Sequence, residues 1–552
     1  IAMQASVDRF LAGDEPGTFG STPHHRRDTF YAIHLADFAL ADPALDPKIA
    51  ARLRIQAAFL ADTVARPDFA SRERGLIANP NIFSGIAAMQ GLAACLISDR
   101  PNAGELLGRA LKELHDHELL NWSDKDGGWL EAPHYATLST DFMLAVFLCA
   151  RNAGRPEALA DPRLRQVFRW FAQITTPPDN RLGGARHLPP IGNTYPLEPT
   201  GLFGMAAFVW RKADPAFADE MQAVHRASGA PASNGVGGWW PATAPYQLAF
   251  RKGDLPARMP AYESALFAQT GAMLRAHFGP RETQLYLIAG DNHAHYDNDS
   301  GSLTLWAKGR LLSDAFGYNS YAPAADHSMI DNRAMSGLMR VRDYSSQAML
   351  DYVRASNGPW TRQILFVKDK DPLGPNYFLL RDALTGAPVS KAKDDPGSVW
   401  RLWLNAERID FAGDRATVVG KDDVDMDVFF LTGLPAGATI EQGTRTSAAS
   451  GLNRPYSTTQ SAIRIPLAPT AVLPVLLYPR LKTQPSPRVV PLADGRGARI
   501  EIGGRVDTVY LGDSDFADGA RFRGTAGVSV DRGGDVAFAL GAAGRLATRG
   551  RA

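Results

Sequence analysis

The sequence predicts an α+β multidomain chain: an N-terminal (α/α) toroid, complete or incomplete, followed by an antiparallel β-sheet or β-sandwich domain. Three observations carry that expectation. Apolar residues recur at helical spacing through the first half. Short runs rich in β-branched and aromatic residues, separated by turn formers at sandwich-like intervals, fill the second half. Between them lies a stretch dense in Gly, Pro and aromatics, SNGVGGWWPATAPYQ and then LPARMPAY, which reads as a crossover. Helices first and strands after argue for two structural units rather than alternating βα units. The expected boundaries are 1–245 for the helical domain and 246–552 for the sheet domain, with room for a small sub-domain from about 410 onward.

The expected helices, in order, are Arg26–Leu40, Asp46–Ala65, Asn81–Ile97, Ala103–Leu120, Leu138–Ala153, Pro162–Gln173, Gly201–Lys212 and Pro215–Ala227. Asn81–Ile97 is almost wholly apolar and small, which suits a helix buried on several sides. The connections hold helix-end signals such as Asp99-Arg-Pro-Asn and Thr176-Pro-Pro-Asp. Expected strands are Gln284–Ile288, Ser302–Ala307, Gln363–Val367, Tyr377–Arg381, Trp400–Leu404, Ala416–Val419, Asp427–Leu431, Ala471–Leu477 and Val506–Leu511. The Gly-, Ala- and Arg-rich tail after Phe516 reads as short strands at best, or as low-complexity chain.

At 552 residues, with 45% apolar and 21% charged residues, the chain has ample material for several cores. A net charge of +1 gives no overall field toward nucleic acid or membrane, so any grip on an anion must come from local Arg, Lys and His. No apolar run is long enough for a membrane span. No basic, apolar signal peptide opens the sequence, and a removed one is compatible with it. The two cysteines, Cys95 and Cys149, rule out a disulfide framework by count and are expected to be buried free thiols.

Chemistry concentrates in Asp291–Asp331, DNHAHYDNDSGSLTLWAKGRLLSDAFGYNSYAPAADHSMID. On an extended strand, His293 and His295 would point to the same face. With Asp314 and His327 they could make a compact set suited to a divalent metal. The same Asn, Asp, Ser and Gly residues also suit plain turns. In the helical half, the loop NWSDKDGGWLEAPHYATLSTD holds Trp122, Trp129, Glu131, His134 and Tyr135. Aromatics there suit stacking on sugar rings, or simply plugging an inter-helix gap. Asn79 and Asn81 stand before an apolar helix, where an N-cap is the ordinary role. The Pro/Gly-stiffened loop ARHLPPIGNTY brings in Arg186, His187, Asn193 and Tyr195.

Taken together, the helical half, the loop DGGWLEAPHY and the later segments resemble the heparinase II/III-type polysaccharide lyases, including oligoalginate lyases. The later segments are His293-Ala-His295-Tyr-Asp297, Gly301-Ser302, Asp314-Ala-Phe-Gly317-Tyr318 and His327-Ser-Met-Ile. The chain differs from that family in having Ile82 after Asn81 and Ser328 after His327. The resemblance implies a toroid joined to an antiparallel sheet domain and β-elimination beside a uronic acid. It implies His293 and Tyr135 as base and acid, Asn81 neutralising the uronate carboxylate, and Tyr318 or Tyr321 as a further active-site tyrosine. His295, Asp314 and His327 would hold a structural divalent metal, often zinc, with calcium or manganese as alternatives. Trp129, Glu131, His134, Arg186, His187, Asn193 and Arg333 are the expected substrate contacts.

The expected partner is an anionic polysaccharide or oligosaccharide, with no nucleic acid, no membrane span, and a monomer or homodimer. The expected location is periplasmic or secreted, with the cytoplasm an alternative. The rival readings are an (α/α)-toroid glycoside hydrolase using Asp126 and Glu131, which needs two carboxylates facing one glycosidic bond, a metal-dependent hydrolase, and a non-catalytic carbohydrate-binding protein.

Overall fold

The computed structural model describes residues 1–12, 23–66, 80–232, 254–291, 295–296, 298–318, 322–389, 397–517 and 520–548. The chain divides into two compact units. The helical one holds Ile1–Ala172, Glu198–Pro260 and His295; the sheet one holds Gln173–Leu197, Ala261–Asn292 and Tyr296–Ala552. The sequence boundary at 245 is thus displaced to Pro260, and two exchanges were not foreseen. The segment Gln173–Leu197 belongs to the sheet unit, and His295 belongs to the helical unit.

Among the described residues the helical unit carries helices α1 (Ala2–Leu11), α2 (Pro23–Leu40), α3 (Pro47–Val64), α4 (Pro80–Leu96), α5 (Ala103–Lys112), α6 (Leu120–Trp122), α7 (Pro133–Asn152), α8 (Glu157–Ala160), α9 (Pro162–Ile174), α10 (Leu202–Trp210) and α11 (Pro215–Ala227). Proline at the first helical position fits its fixed φ and missing N–H. At α3 and α11 an aspartate completes the start: Asp46 accepts from the Lys48 N–H at 2.7 Å, and Asp214 from the Phe217 N–H at 3.2 Å. The helix expected over Ala103–Leu120 ends its α-helical part at Lys112 and continues as a π-helical turn, Glu113–Leu119. The helix expected from Leu138 starts five residues earlier, at Pro133, so His134 and Tyr135 stand in its first turn rather than in a loop. Helix α4 is buried on almost every face, as its run of small apolar residues predicts.

The sheet unit is antiparallel throughout its described strands. A five-stranded sheet runs in chain order from Ala265–Phe267 to Arg310–Ser313. An eight-stranded sheet has the central order Val424–Phe430, Val472–Leu481, Tyr377–Leu384, Trp360–Val367, Leu350–Asn357. A four-stranded sheet contains Tyr456–Leu467 and Ser398–Leu404, with the short Ile330–Asp331 at its edge. A six-stranded sheet runs from Arg488–Leu492 onward and includes Ala520–Arg532, Asp535–Leu540 and Gly544–Thr548. Among the described residues the tail after Phe516 is therefore mostly strand. The sheet with separate connectivity begins at Arg488, since Ala406–Ala412, Arg415–Gly420 and Val424–Phe430 belong to the eight-stranded sheet.

Period-two alternation explains the layering. Val353, Ile364, Phe366, Phe378 and Leu380 pack on one side with Leu274, Leu285 and Leu303 of the five-stranded sheet and Trp400 and Leu402 of the four-stranded one. Their chain neighbours Tyr352, Leu365, Val367, Tyr377 and Leu379 pack on the other side with Ile500, Val509 and Val528 of the six-stranded sheet. A sheet buried on both faces reads as a continuous apolar run, as FLL within YFLLRDAL does. One polar knot is set into this core. Asp382 accepts from Trp360 Nε1 at 2.8 Å, Trp400 Nε1 at 2.9 Å, and Arg362 Nε and Nη2 at 2.9 and 2.8 Å. That accounting is what a buried carboxylate requires.

Candidate functional site

In the helical unit four side chains from three separate parts of the sequence meet. The loop before α7 is closed by Asp124, whose Oδ1 accepts from the Asp126 and Gly128 N–H groups, each at 2.9 Å. Ser123 pairs with Trp129 across that turn, and Trp129 is fully buried beneath it. Gly127 sits at φ +91°, where a Cβ would stand 2.1 Å from the Gln166 carbonyl oxygen, so only glycine fits. This tight turn delivers Glu131 to the position just before α7 and Tyr135 into its first turn. Helix α4 starts at Pro80 and places Asn81 in its own first turn.

Asn81 Nδ2 donates to Glu131 Oε1 at 2.6 Å, and His295 Nδ1 meets the same oxygen at 2.8 Å. Glu131 is fully buried, and its other oxygen has no hydrogen-bond partner among the described residues. The His295 ring lies flat on the Tyr135 ring, centroids 3.6 Å apart and planes 15° from parallel. His134 meets Tyr135 edge-on at 4.9 Å and is held by Glu198, with His134 Nδ1 2.6 Å from Glu198 Oε1. Because a carboxylate only accepts, the proton between Glu131 and His295 sits on Nδ1, which fixes the tautomer of the neutral ring with its lone pair on Nε2. The group can hold an imidazole and a phenol in contact while orienting an amide beside them.

His295 reaches this place through a backbone at φ +65°, in a turn rather than a strand. The alternation expected of His-x-His therefore does not hold at His295. A left-handed residue other than glycine or asparagine carries strain of about 1–3 kcal/mol and clusters at functional positions. His293, the histidine expected to face the sugar, lies outside the described residues, as do Asp297 and Tyr321.

The expected metal ligands are divided between the units: His295, engaged by Glu131 and Tyr135, is in the helical one, and Asp314 and His327 are in the sheet one. Among the described residues no group of three or more His, Cys, Asp or Glu side chains is disposed to hold a metal ion. Burial pushes Asp314 up to about 6, against the pull of Arg181, whose Nη2 stands 3.7 Å from its carboxylate. Burial likewise pushes His327 down to about 4.

Two expected substrate contacts are consumed internally. Arg186 pairs with Glu282 at 2.7 Å and lies over the Phe278 ring at 4.0 Å, with Arg275 on the other oxygen of Glu282. His187 Nε2 stands 2.9 Å from Asp179 Oδ2 and Nδ1 stands 2.7 Å from the Leu188 carbonyl oxygen, both of them acceptors. Both are fixed inside the sheet unit because a buried charge must be paired. Asn193 is also buried there, and its Oδ1 has no hydrogen-bond partner among the described residues. Tyr318 stacks on Tyr195 at 4.7 Å and 11°. Arg333 is exposed and lines a cavity of about 630 Å³ together with Asn298, Ser300, Asn357 and Trp360. As for the hydrolase alternative, Asp126 is half-buried and paired with Lys125 at 3.2 Å, while Glu131 is sealed and tied to Asn81 and His295. The two carboxylates do not share one environment.

Sequence reasoning did not single out Glu198, Asp179 or Arg181. The signal for Glu198 was weak: a lone Glu in YPLEPT, before the helix Leu202–Trp210.

No family model matches the sequence, and no curated protein matches it. Solved structures do match. A crystal structure of heparinase III aligns with a TM-score of 0.62 at 14% identity, over 99% of this chain and 79% of that one. The heparan sulfate lyase HepC from Pedobacter heparinus aligns with a TM-score of 0.60 at 15% identity, over 98% of this chain and 78% of that one. At such identities the likeness is one of fold, and it spans both units.

Proposed function

We propose that the chain is a polysaccharide lyase that cleaves a uronic-acid-containing polymer by β-elimination, with Asn81, Tyr135 and His295 as its acting groups and Glu131 as their organiser. The observation that carries the reading is the convergence of these four side chains in the helical unit. The fold shared with heparinase III and HepC supports it.

The chemistry needs three things. The proton on C5 is weakly acidic while the neighbouring carboxylate is charged, so a donor must stabilise the enolate-like intermediate. Asn81 supplies that donor: one amide hydrogen is held by Glu131, which aims the other at the substrate carboxylate. A base then takes the C5 proton, the electron pair forms the C4–C5 double bond, and the C4–O bond breaks. An acid finally protonates the leaving oxygen. Tyr135, with an ordinary pKa near 10, serves as phenolate only beside positive charge, which His295, stacked on its ring, supplies once its Nε2 takes up a proton. The stereochemistry of the uronate decides the split. Tyr135 does both steps when proton and leaving group share a face, and His295 is the base when they do not. Glu131 is a positioning residue. On the sequence resemblance, His295, Asp314 and His327 would hold a divalent metal that steadies their loops, and no step is routed through it.

His293, Tyr318 and Tyr321 remain part of the proposed site on the sequence resemblance alone, and Trp129, His134 and Arg333 as substrate contacts likewise. An unsulfated uronate polymer is the proposed substrate, since no dense Arg/Lys cluster lines the site among the described residues. The proposed location is periplasmic or secreted. The test is a panel of uronate polymers (alginate, glucuronan, hyaluronan and heparan-type chains) followed in the ultraviolet and by a reducing-end assay. A gain in ultraviolet absorbance on at least one polymer is the expected outcome. Reducing ends without any ultraviolet gain across the panel would sink the proposal.

A further inference from the structure

Helices α4 and α7 lie side by side and run in the same direction. A Cβ on Gly85 would meet the Phe142 ring at 3.2 Å, and one on Gly91 would meet Val146 at 2.7 Å, so contacts advance together along both helices. Asn81 opens the first and Tyr135 opens the second in equivalent first turns. Fourteen residues after each comes a cysteine, at 95 and 149, about 21 Å farther along each axis at 1.5 Å per residue. The two thiols meet there within hydrogen-bonding reach, on the same small cavity, with His34 and Asp37 of α2 as the other polar groups around it. Both are partly accessible rather than sealed.

We propose that Cys95 and Cys149 are a disulfide-forming pair that staples the far ends of the two helices that carry Asn81 and Tyr135. Two cysteines at matched heights on packed helices, lining one small cavity, are placed so that a disulfide can link them. The hydrogen bond from Cys149 lowers the Cys95 pKa, which makes Cys95 the attacking thiolate, while the same bond and burial raise Cys149. The oxidant is a small-molecule or protein disulfide. The Cys95 thiolate attacks one sulfur of that disulfide and expels the other as a thiolate, leaving a mixed disulfide. Cys149 then attacks the Cys95 sulfur and expels the second thiolate. Two protein thiols are oxidised, one external disulfide is reduced to two thiols, and the two protein protons pass to them. In an oxidising compartment the pair would be closed, and in a reducing one open. The inference is independent of the catalytic reading, because its readouts need no activity.

The purified full chain is incubated with oxidised glutathione or with dithiothreitol, quenched with an alkylating agent under denaturing conditions, digested and weighed. The expected result is a linked Cys95–Cys149 peptide after oxidation, both cysteines alkylated after reduction, and a melting temperature roughly 5–10 °C higher for the oxidised chain. Cys149→Ala should abolish that difference and leave Cys95 carrying a glutathione adduct. The proposal is overturned if both thiols stay alkylatable after oxidation, or if each takes glutathione separately without a link.

Discussion

Tyr135 and Glu131 separate chemistry from architecture. Removing the phenolic oxygen leaves the ring to stack on His295 at 3.6 Å, so Tyr135→Phe should cost about 10²–10⁴-fold in kcat with almost no change in melting temperature. A variant that kept full activity would remove Tyr135 from the mechanism. Glu131 is different, because one of its buried oxygens has no hydrogen-bond partner among the described residues. Glu131→Gln keeps the shape and an amide oxygen that still accepts, but it removes the carboxylate that Asn81 and His295 share. Steady-state kinetics should show activity falling by about 10-fold or more, and a thermal melt should show stability equal to or above that of the parent. A joint fall in both would mean that Glu131 is chiefly structural. Asn81 and Tyr135 were singled out through the family resemblance, and both stand in first helical turns. The left-handed φ of His295 and its bond to Glu131 are not announced by HAH, and Arg186 and His187 looked available because their partners Glu282 and Asp179 are set by tertiary packing.

At the scale of elements, the turn before α7 and the Asp382 knot are the places where a single change should be felt furthest. In Gly127→Ala the new methyl would collide with the Gln166 backbone at 2.1 Å and force an alanine to φ +91°. A loss of at least about 2 kcal/mol, read as a melting-temperature drop of roughly 4–8 °C, is expected together with reduced activity, since Glu131 follows that turn. Asp382→Ala would strand the buried Arg362 guanidinium and the Trp360 and Trp400 N–H groups, at a cost of about 3–5 kcal/mol in denaturant unfolding. Element type was largely legible: short β-rich runs forecast an antiparallel sheet unit and apolar spacing forecast most helices, whereas burial of the central sheet on both faces was not foreseen. The start of α7 was missed by five residues because the loop's turn signals run up to Pro133, which begins the helix.

At the scale of the whole molecule, each unit buries a histidine whose pKa is held low, His34 in the helical one and His327 in the sheet one. In the helical unit burial pushes His34 down to about 3, from an ordinary value of 6.5. The folded state therefore holds His34 neutral where the unfolded chain is protonated. Its contribution is fully present above pH 6.5 and is lost as pH falls toward 3, by an amount on the order of a few kcal/mol. Melts of the parent should fall steadily between pH 6.5 and 4, and His34→Gln should flatten that slope; an unchanged slope would contradict the assignment. Among the described residues no helix is long and apolar enough to cross a membrane. The division into units was legible, but Gln173–Leu197 joins the sheet unit through pairs such as Arg186–Glu282 that no local pattern foretells.

The central claim is elimination rather than hydrolysis, and one stoichiometry decides it. On a polymer that the protein cleaves, unsaturated ends are counted by ultraviolet absorbance and new reducing ends by a colorimetric assay. β-Elimination predicts one unsaturated end for every new reducing end throughout the reaction, with both vanishing together in Tyr135→Phe. Reducing ends that accumulate without unsaturation would contradict the account.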